Sequence, residues 1–243
     1  MVAYTLFRKF SQFLLDLLYP PSCVNCKTTN EWLCQDCLNR IAFITPPVCE
    51  RCGTSISTDD LPHCVQCKNN PLQSTDGIRS ASYFEDNPIR PAIHFLKYRN
   101  HRVVASILGK ILIEAYRRYN LSADVIVPVP LHISRLRERG YNQSHLLANE
   151  VAKFFNLPVN TDTLQRVRET KSQMELEVNE RRQNVLNAFV CHNEKLVGQK
   201  VLLIDDVCTT GSTLDACATA LKEGGAASVW GLTLAKTHFK NHR

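Results

Sequence analysis

The sequence predicts an α/β fold, a mostly parallel sheet with helices on both faces, preceded by a small cysteine-rich module. Three observations carry that prediction. Strand-like apolar runs alternate with helix-like segments from about residue 76 onward, and such alternation builds parallel βαβ units. One run, VLLI at 201–204, ends in Asp205 and Asp206 and then in a turn of small hydroxylated residues that opens an amphipathic helix. Eight of the eleven cysteines precede residue 70, in four C-x-x-C pairs.

The chain reads in three parts: a lead-in helix at 1–22, a cysteine module at 23–68 and an α/β domain at 69–243. In the first, Leu6, Phe7, Phe10, Phe13, Leu14, Leu17 and Leu18 recur at helical spacing, which predicts an amphipathic helix packed on its own protein rather than on a membrane surface. Asp16 and Pro20-Pro21 interrupt the apolar stretch, and it falls short of the roughly 20 residues that span a bilayer. Arg8 and Lys9 are followed by no small-residue cleavage site, so a cytoplasmic location without membrane insertion is expected.

The second part holds Cys23/Cys26, Cys34/Cys37, Cys49/Cys52 and Cys64/Cys67. Each C-x-x-C turns two thiolates onto one ion, and two pairs complete a tetrahedral shell, so four pairs predict two structural Cys₄ zinc sites, a double zinc ribbon. A secreted disulfide framework would need an export signal, and an iron–sulfur cluster suits the ligands but not the ribbon-like regularity. Sequential pairing is the simplest; an interleaved pairing stays open, and His63 could substitute as a ligand, although a His beside a full complement of cysteines is more often a bystander. A segment this short has too little core of its own, and metal takes its place. Lys27, Arg40, Arg51 and Lys68 are scattered, which favours a scaffold over a binding platform.

In the third part the expected elements are a strand at 77–84, one or two helices across 88–119 broken near Asn100, and a buried strand at 123–129. A helix at 142–156 follows with Asn142 as N-cap, then a short strand at 163–168, a short helix at 179–186 and a short strand at 188–191. The motif strand comes next, then a helix at 212–223 ended by Gly224-Gly225 and a last strand at 228–235. Ligands of such a sheet belong at the carboxyl ends of its strands.

The motif VLLIDDVCTTGST at 201–213 supplies such a site. Thr209, Thr210, Gly211, Ser212 and Thr213 bring backbone N–H groups and hydroxyls to a helix N-terminus, which receives a phosphate dianion well. Carboxylates repel phosphate, so Asp205 and Asp206 are placed to accept hydrogen bonds from vicinal hydroxyls beside it. An Asp-Asp pair alone marks solvated turns throughout proteins; here that plainer account leaves the Thr-Thr-Gly-Ser-Thr run without a reason. Cys208 lies inside the motif with no neighbouring base to make it a nucleophile, and Cys191 and Cys217 have no C-x-x-C partner.

A second candidate site follows the strand at 123–129, where VPVPLHISRLRERGYNQ at 127–143 sets Arg135, Arg137 and Arg139 before Gly140. By itself an R-x-R-x-R run is an ordinary solvated helix face. One strand-end from the phosphate motif, it becomes the natural receiver of pyrophosphate, since guanidinium forks bind phosphate bidentately. Lys97 and Arg99 are candidates to add charge to the same mouth. The charged stretch RVRETKSQMELEVNERRQN at 166–184 reads as an exposed loop, or as a loop that closes over an activated sugar to exclude water, with Thr170, Lys171 and Gln173 foremost.

Charge is concentrated in this region. Between Asp86 and Arg182 lie sixteen Lys and Arg against ten Asp and Glu, the whole of the formal +6. Two zinc ions on eight thiolates would leave about +2 overall. A local basic mouth is therefore a better indication of an anionic ligand than bulk basicity.

The string VLLIDDVCTTGST resembles the PRPP-binding signature of type I phosphoribosyltransferases. Together with the double Cys₄ ribbon and VPVPLHISRLRERGYNQ, it resembles the ComF family, called ComFC in competent bacteria, over about 17–236. Tyr141 stands where phenylalanine is usual in that family's R-x-R-G-[FY]-N-Q string, a change that keeps the ring. The resemblance implies a type I phosphoribosyltransferase-like sheet and a cytosolic bacterial protein that helps transforming DNA into the cell, alongside a helicase and recombination-loading factors. It further implies displacement of pyrophosphate from C1 of PRPP, with magnesium bridging pyrophosphate and ribose oxygens. Asp205 and Asp206 would hold the ribose hydroxyls, residues 209–213 the 5′-phosphate, and residues 135–140 the leaving group.

Two classes of function follow. The first is an enzyme transferring a phosphoribosyl group. The second is a non-catalytic accessory that uses the pocket and the basic mouth for single-stranded DNA or a nucleotide. A nucleobase-salvage enzyme is the third choice, because no base-recognition hood is apparent, and scarce aromatic platforms count against a strong single-strand binder.

Overall fold

The computed structural model describes residues 20–57, 62–98, 103–169, 185, 187–192 and 194–238. The lead-in helix, Arg99, the loop residues Thr170, Lys171 and Gln173, and nearly all of the short helix expected at 179–186 lie outside them. Among the described residues, no helix is long and apolar enough to cross a membrane.

Two short helices, α1 (Gln35–Asn39) and α2 (Val65–Asn69), begin at Cys34 and Cys64 in the cysteine module. Strand β1 (Gly77–Tyr83) follows, then helices α3 (Ile89–Tyr98) and α4 (Val104–Arg118) and strand β2 (Val125–Pro128). Helices α5 (Ile133–Arg139) and α6 (Gln143–Phe155) lead to β3 (Leu164–Arg166) and β4 (Phe189–Cys191). Strand β5 (Lys200–Cys208), helix α7 (Ser212–Glu223) and strand β6 (Ser228–Lys236) complete the order. Strands β1, β6, β5 and β2 lie side by side in that order, every pair parallel.

Successive side chains of a strand point to opposite faces, and here both faces are covered, which is why the strands read as continuous apolar runs. Leu202, Ile204, Leu232 and Leu234 pack with α3, α4 and α6 on one face. Val201, Leu203, Val127 and Ile78 pack on the other with Leu214, Ala218 and Leu221 of α7 and with Leu164 and Phe189. The cysteine module straddles the β1 edge. Cys23, Cys34 and Cys37 join the first of these cores, whereas Cys49, Cys52, Cys64 and Cys67 join the second. Ile44 N–H donates to Ala81 O at 2.9 Å, Ile78 N–H donates to Arg51 O at 2.7 Å, and Phe43 bridges Ser82 in antiparallel fashion. The ribbon thereby occupies backbone groups that would otherwise leave a bare sheet edge.

Helix α6 starts where its sequence says, with the Asn142 side chain accepting Ser144 N–H at 2.9 Å, and it ends on Asn156 in the left-handed region. The arginine run forms helix α5, with no buried residue, the solvated helix face that an R-x-R-x-R run suggests by itself. One pair of strands differs from expectation. β3 and β4 form a separate antiparallel pair outside the parallel sheet; three residues each are too few for an alternation pattern to declare direction.

Candidate functional site

Asp205 and Asp206 lie near the carboxyl end of β5, inside the sheet between β6 and β2. Ser144, in the first turn of α6, donates its Oγ–H to Asp205 Oδ1 at 2.8 Å, and the Asp206 N–H donates to the same oxygen at 2.9 Å. Asp206 forms an ion pair with Lys97, and Gln143 Nε2 lies 3.5 Å from Asp206 Oδ1. The two carboxylates therefore have different electrostatic environments. Burial pushes Asp205 up to about 7, and the neighbouring Asp206 charge adds to the effect. Burial acts the same way on Asp206, but the Lys97 ammonium outweighs it and holds that carboxyl below its ordinary value. Burial opposes the charge on Lys97 too, and Asp206 more than restores it. One ionised and one readily protonated carboxyl stand side by side.

The loop beyond them turns at Gly211, whose φ of 85° precedes α7. A Cβ there would stand 2.8 Å from Ile78 Cδ1, so both the backbone angle and the close approach call for glycine. Ser212 N–H donates to Thr210 Oγ1 at 3.3 Å, and the two hydroxyl oxygens are 2.7 Å apart. Thr209, Thr210, Ser212 and Thr213 are half-buried, a rim open enough for a ligand. The helix behind this loop is pinned by Asp215, whose carboxylate accepts the backbone N–H groups of Gln73, Ser74 and Thr75 at 3.1, 2.9 and 3.0 Å. Sequence reading passed over Asp215, since a single acid in a helical first turn carries no distinctive signal.

The arginines divide. In a helix, residues four apart share a face and residues two apart do not, so Arg135 and Arg139 line up, both half-buried, while the exposed Arg137 turns away. Gly140 closes α5 with φ at 77°. Arg139 donates to Gln143 Oε1 and lies with its guanidinium 5.4 Å from the Tyr98 ring centre. Tyr141 donates to Leu96 O, and Asn142 Nδ2 donates to Val129 O at 3.0 Å. Residues 139–144 thus do more than present charge: they seat α6 against β2 and α3, and deliver Gln143 and Ser144 to the two aspartates.

Arg166 was missed. Ser134 Oγ donates to Glu169 Oε1 at 2.6 Å, which draws the chain beyond β3 to α5. Burial lowers the Arg166 pKa, the charges of Arg135 and Arg168 add to that, and Asp205 opposes it. Arg166 therefore lies within electrostatic reach of Arg135 and Asp205, 31 positions from Arg135 in sequence, a separation that no local pattern bridges. Burial also pushes the thiols of Cys208 and Cys217 up, the reverse of a nucleophile's preparation.

The eight ribbon cysteines fall into two groups of four, Cys23, Cys26, Cys34 and Cys37, and Cys49, Cys52, Cys64 and Cys67. Pairing is thus sequential, and His63 is in neither group. A zinc ion with four bonds of about 2.3 Å sets its sulfurs about 3.8 Å apart. The Sγ separations are 3.6 Å for Cys23 and Cys37, 3.4 Å for Cys26 and Cys34, and 3.7 Å for Cys52 and Cys64. The chemistry and spacing fit two Cys₄ zinc sites. Arg40 Nη2 and Asn25 Nδ2 donate to Cys37 Sγ at 3.2 and 3.3 Å, the outer support expected of such a ligand.

Two stretches of the chain match known domain families. Residues 14–68 match the double zinc ribbon domain and residues 96–242 the phosphoribosyl transferase domain. Competence protein F of Haemophilus influenzae is 32% identical over 88% of this chain and 96% of its own length. DNA utilization protein YhgH of Escherichia coli K12 is 31% identical over 91% and 99%. Competence protein ComFC of Bacillus subtilis is 27% identical over 86% and 85%.

Proposed function

The chain joins a double zinc ribbon to a phosphoribosyl transferase domain and belongs to the family of competence protein F and DNA utilization protein YhgH, and on that premise we propose that it binds PRPP or a closely related phosphoribosyl ligand in the service of DNA uptake or use. The observation that carries the reading is the asymmetric pair Asp205 and Asp206 next to the left-handed Gly211 turn. The carboxylates meet hydroxyls and the turn meets phosphate, which is the division of labour a ribose 5-phosphate requires.

In this reading, both bonds to Asp205 fall on Oδ1, and Oδ2 serves the ribose hydroxyls. Asp206, kept ionised by Lys97, supplies fixed negative potential for the positive charge that develops at C1. Residues 209–213 hold the 5′-phosphate through backbone N–H groups and hydroxyls. Arg135 and Arg139 receive the pyrophosphate as the C1–O bond breaks and its electron pair leaves with that group; the new bond forms between C1 and the acceptor. Magnesium carried in with PRPP would neutralise further charge on the pyrophosphate.

Calorimetric titration of zinc-loaded protein with PRPP and magnesium tests the proposal. Micromolar-to-millimolar binding is expected for the wild type and its loss for Asp205→Asn. A wild-type protein that binds no PRPP overturns it. The names of the relatives favour a second reading, a non-catalytic accessory that holds single-stranded DNA at the basic mouth. A parallel titration with short single-stranded DNA decides for it if DNA binds, PRPP does not, and Asp205→Asn leaves DNA binding intact.

A further inference from the structure

Residues 70–76 join the cysteine module to β1 as a strap that is held at both ends. On the module side, the guanidinium of Arg51, in the knuckle between Cys49 and Cys52, donates to Leu72 O at 2.5 Å. Asn70 N–H donates to Gln66 O at 2.8 Å, so the strap leaves directly from α2, the helix that carries Cys67. On the sheet side, Asp215 takes the three consecutive N–H groups of Gln73, Ser74 and Thr75. Thr219 Oγ1 lies 2.8 Å from Ser74 Oγ, and Lys222 pairs with Asp76 at 2.8 Å. Asp215, Thr219 and Lys222 all belong to α7, the helix that follows the phosphate loop.

The strap also packs on the loop itself. Leu72 is buried, and both of its methyl carbons lie 3.3 Å from the point where a Cβ at Gly211 would stand. A cleft of about 100 Å³ is lined by Cys52, Cys67 and Leu72 together with Thr210, Ser212 and Asp215. The second metal group and the phosphate loop therefore share one wall. Close-packed interiors pass a displacement on because they hold no void to absorb it, and a carboxylate that accepts three N–H groups fixes the backbone it holds. Cys23, Cys34 and Cys37 of the first group pack instead in the core on the other face of the sheet.

We propose that Asp215 is a positioning residue for the phosphate loop, and that the strap it holds makes the shape of this loop depend on the second metal group and not on the first. Such a linkage is reciprocal. A ligand that settles the loop also retains the second ion. That last consequence rests on residues 209–213 being the phosphate site; the coupling within the chain is measured without any ligand.

The test follows hydrogen exchange of the peptide covering 207–214 in the full-length, zinc-loaded protein, with a peptide of α4 as the control for global opening. Cys64→Ser, which removes one ligand of the second group, is expected to speed exchange in the loop by about tenfold and to leave α4 unchanged. Cys26→Ser, the same change in the first group, is expected to leave the loop at the wild-type rate. Arg51→Met and Asp215→Asn cut the strap from opposite ends, and each is expected to speed loop exchange by about tenfold while the protein still holds both ions. Wild-type loop exchange in Cys64→Ser, equal acceleration by the two cysteine variants, or wild-type exchange in Arg51→Met or Asp215→Asn overturns the proposal. A second measurement reads the opposite direction. Ribose 5-phosphate is expected to slow the loss of one of the two ions to a chelator by about fivefold, and Asp215→Asn to abolish that protection. Ribose 5-phosphate that binds by calorimetry but slows neither ion, or slows both alike, also overturns the coupling. Failure of ribose 5-phosphate to bind counts against the phosphate site instead, and the exchange rates then decide the coupling by themselves.

Discussion

Lys97 and Asp206 form an ion pair that joins the last turn of α3 to the carboxyl end of β5, with 24% and 5% of their side chains exposed. A pair so nearly enclosed is costly to assemble but far more costly to break from one side, because the surviving charge stays buried. Lys97→Met is expected to destabilise the protein by about 3 kcal/mol in denaturant unfolding. Combining it with Asp206→Asn is expected to recover part of that loss, since the two residues act as one unit.

Asp205 gives a pH signature. Its carboxyl is raised to about 7 in the fold from an ordinary 3.8, so the folded state holds the proton more tightly than the unfolded chain. The associated stability is fully present below the unfolded value and is lost as pH rises through the folded one. Asp205→Asn removes the titration. Its melting temperature relative to wild type is expected to rise between about pH 4 and pH 8, and a difference that stays flat across that window would contradict the shift.

Gly211→Ala meets both a positive φ and a Cβ contact of 2.8 Å with Ile78. A cost of about 1–3 kcal/mol is expected from the backbone angle, measurable by thermal unfolding. PRPP affinity is expected to fall at least tenfold by calorimetry, because the turn that aims the loop's N–H groups no longer closes.

The helical arrangement of α5 separates its arginines by function. Arg135→Ala and Arg139→Ala are each expected to weaken PRPP binding by about tenfold, the scale of one lost charge-assisted contact. Arg137→Ala is expected to change it less than twofold. Equal effects at all three positions would mean that the arginines act as a diffuse field and not through a face.

Metal analysis of purified protein is expected to find about two zinc ions per chain. Chelation is expected to lower the melting temperature of the α/β domain as well as the ribbon, since Cys23 and Cys37 pack in one core of the sheet and Cys49 and Cys52 in the other. An α/β domain that melts unchanged without zinc would show the ribbon to be an independent appendage.

The sequence by itself determined the parallel sheet, the bounds of α7, the N-cap of α6, the eight cysteines and the order Asp205, Asp206, Gly211. All of these are encoded in contiguous residues: apolar runs covered on both faces, capping chemistry, and the fixed spacing of C-x-x-C. Only the tertiary structure decided that Lys97, Gln143 and Ser144 make the two aspartates unequal, that Arg166 lies within electrostatic reach of Arg135, and that Arg137 stands on a different face of α5 from Arg135 and Arg139. Those relationships arise where separate strand ends and helix starts converge, and they depend on burial and Coulomb distance in space, which local sequence patterns do not record.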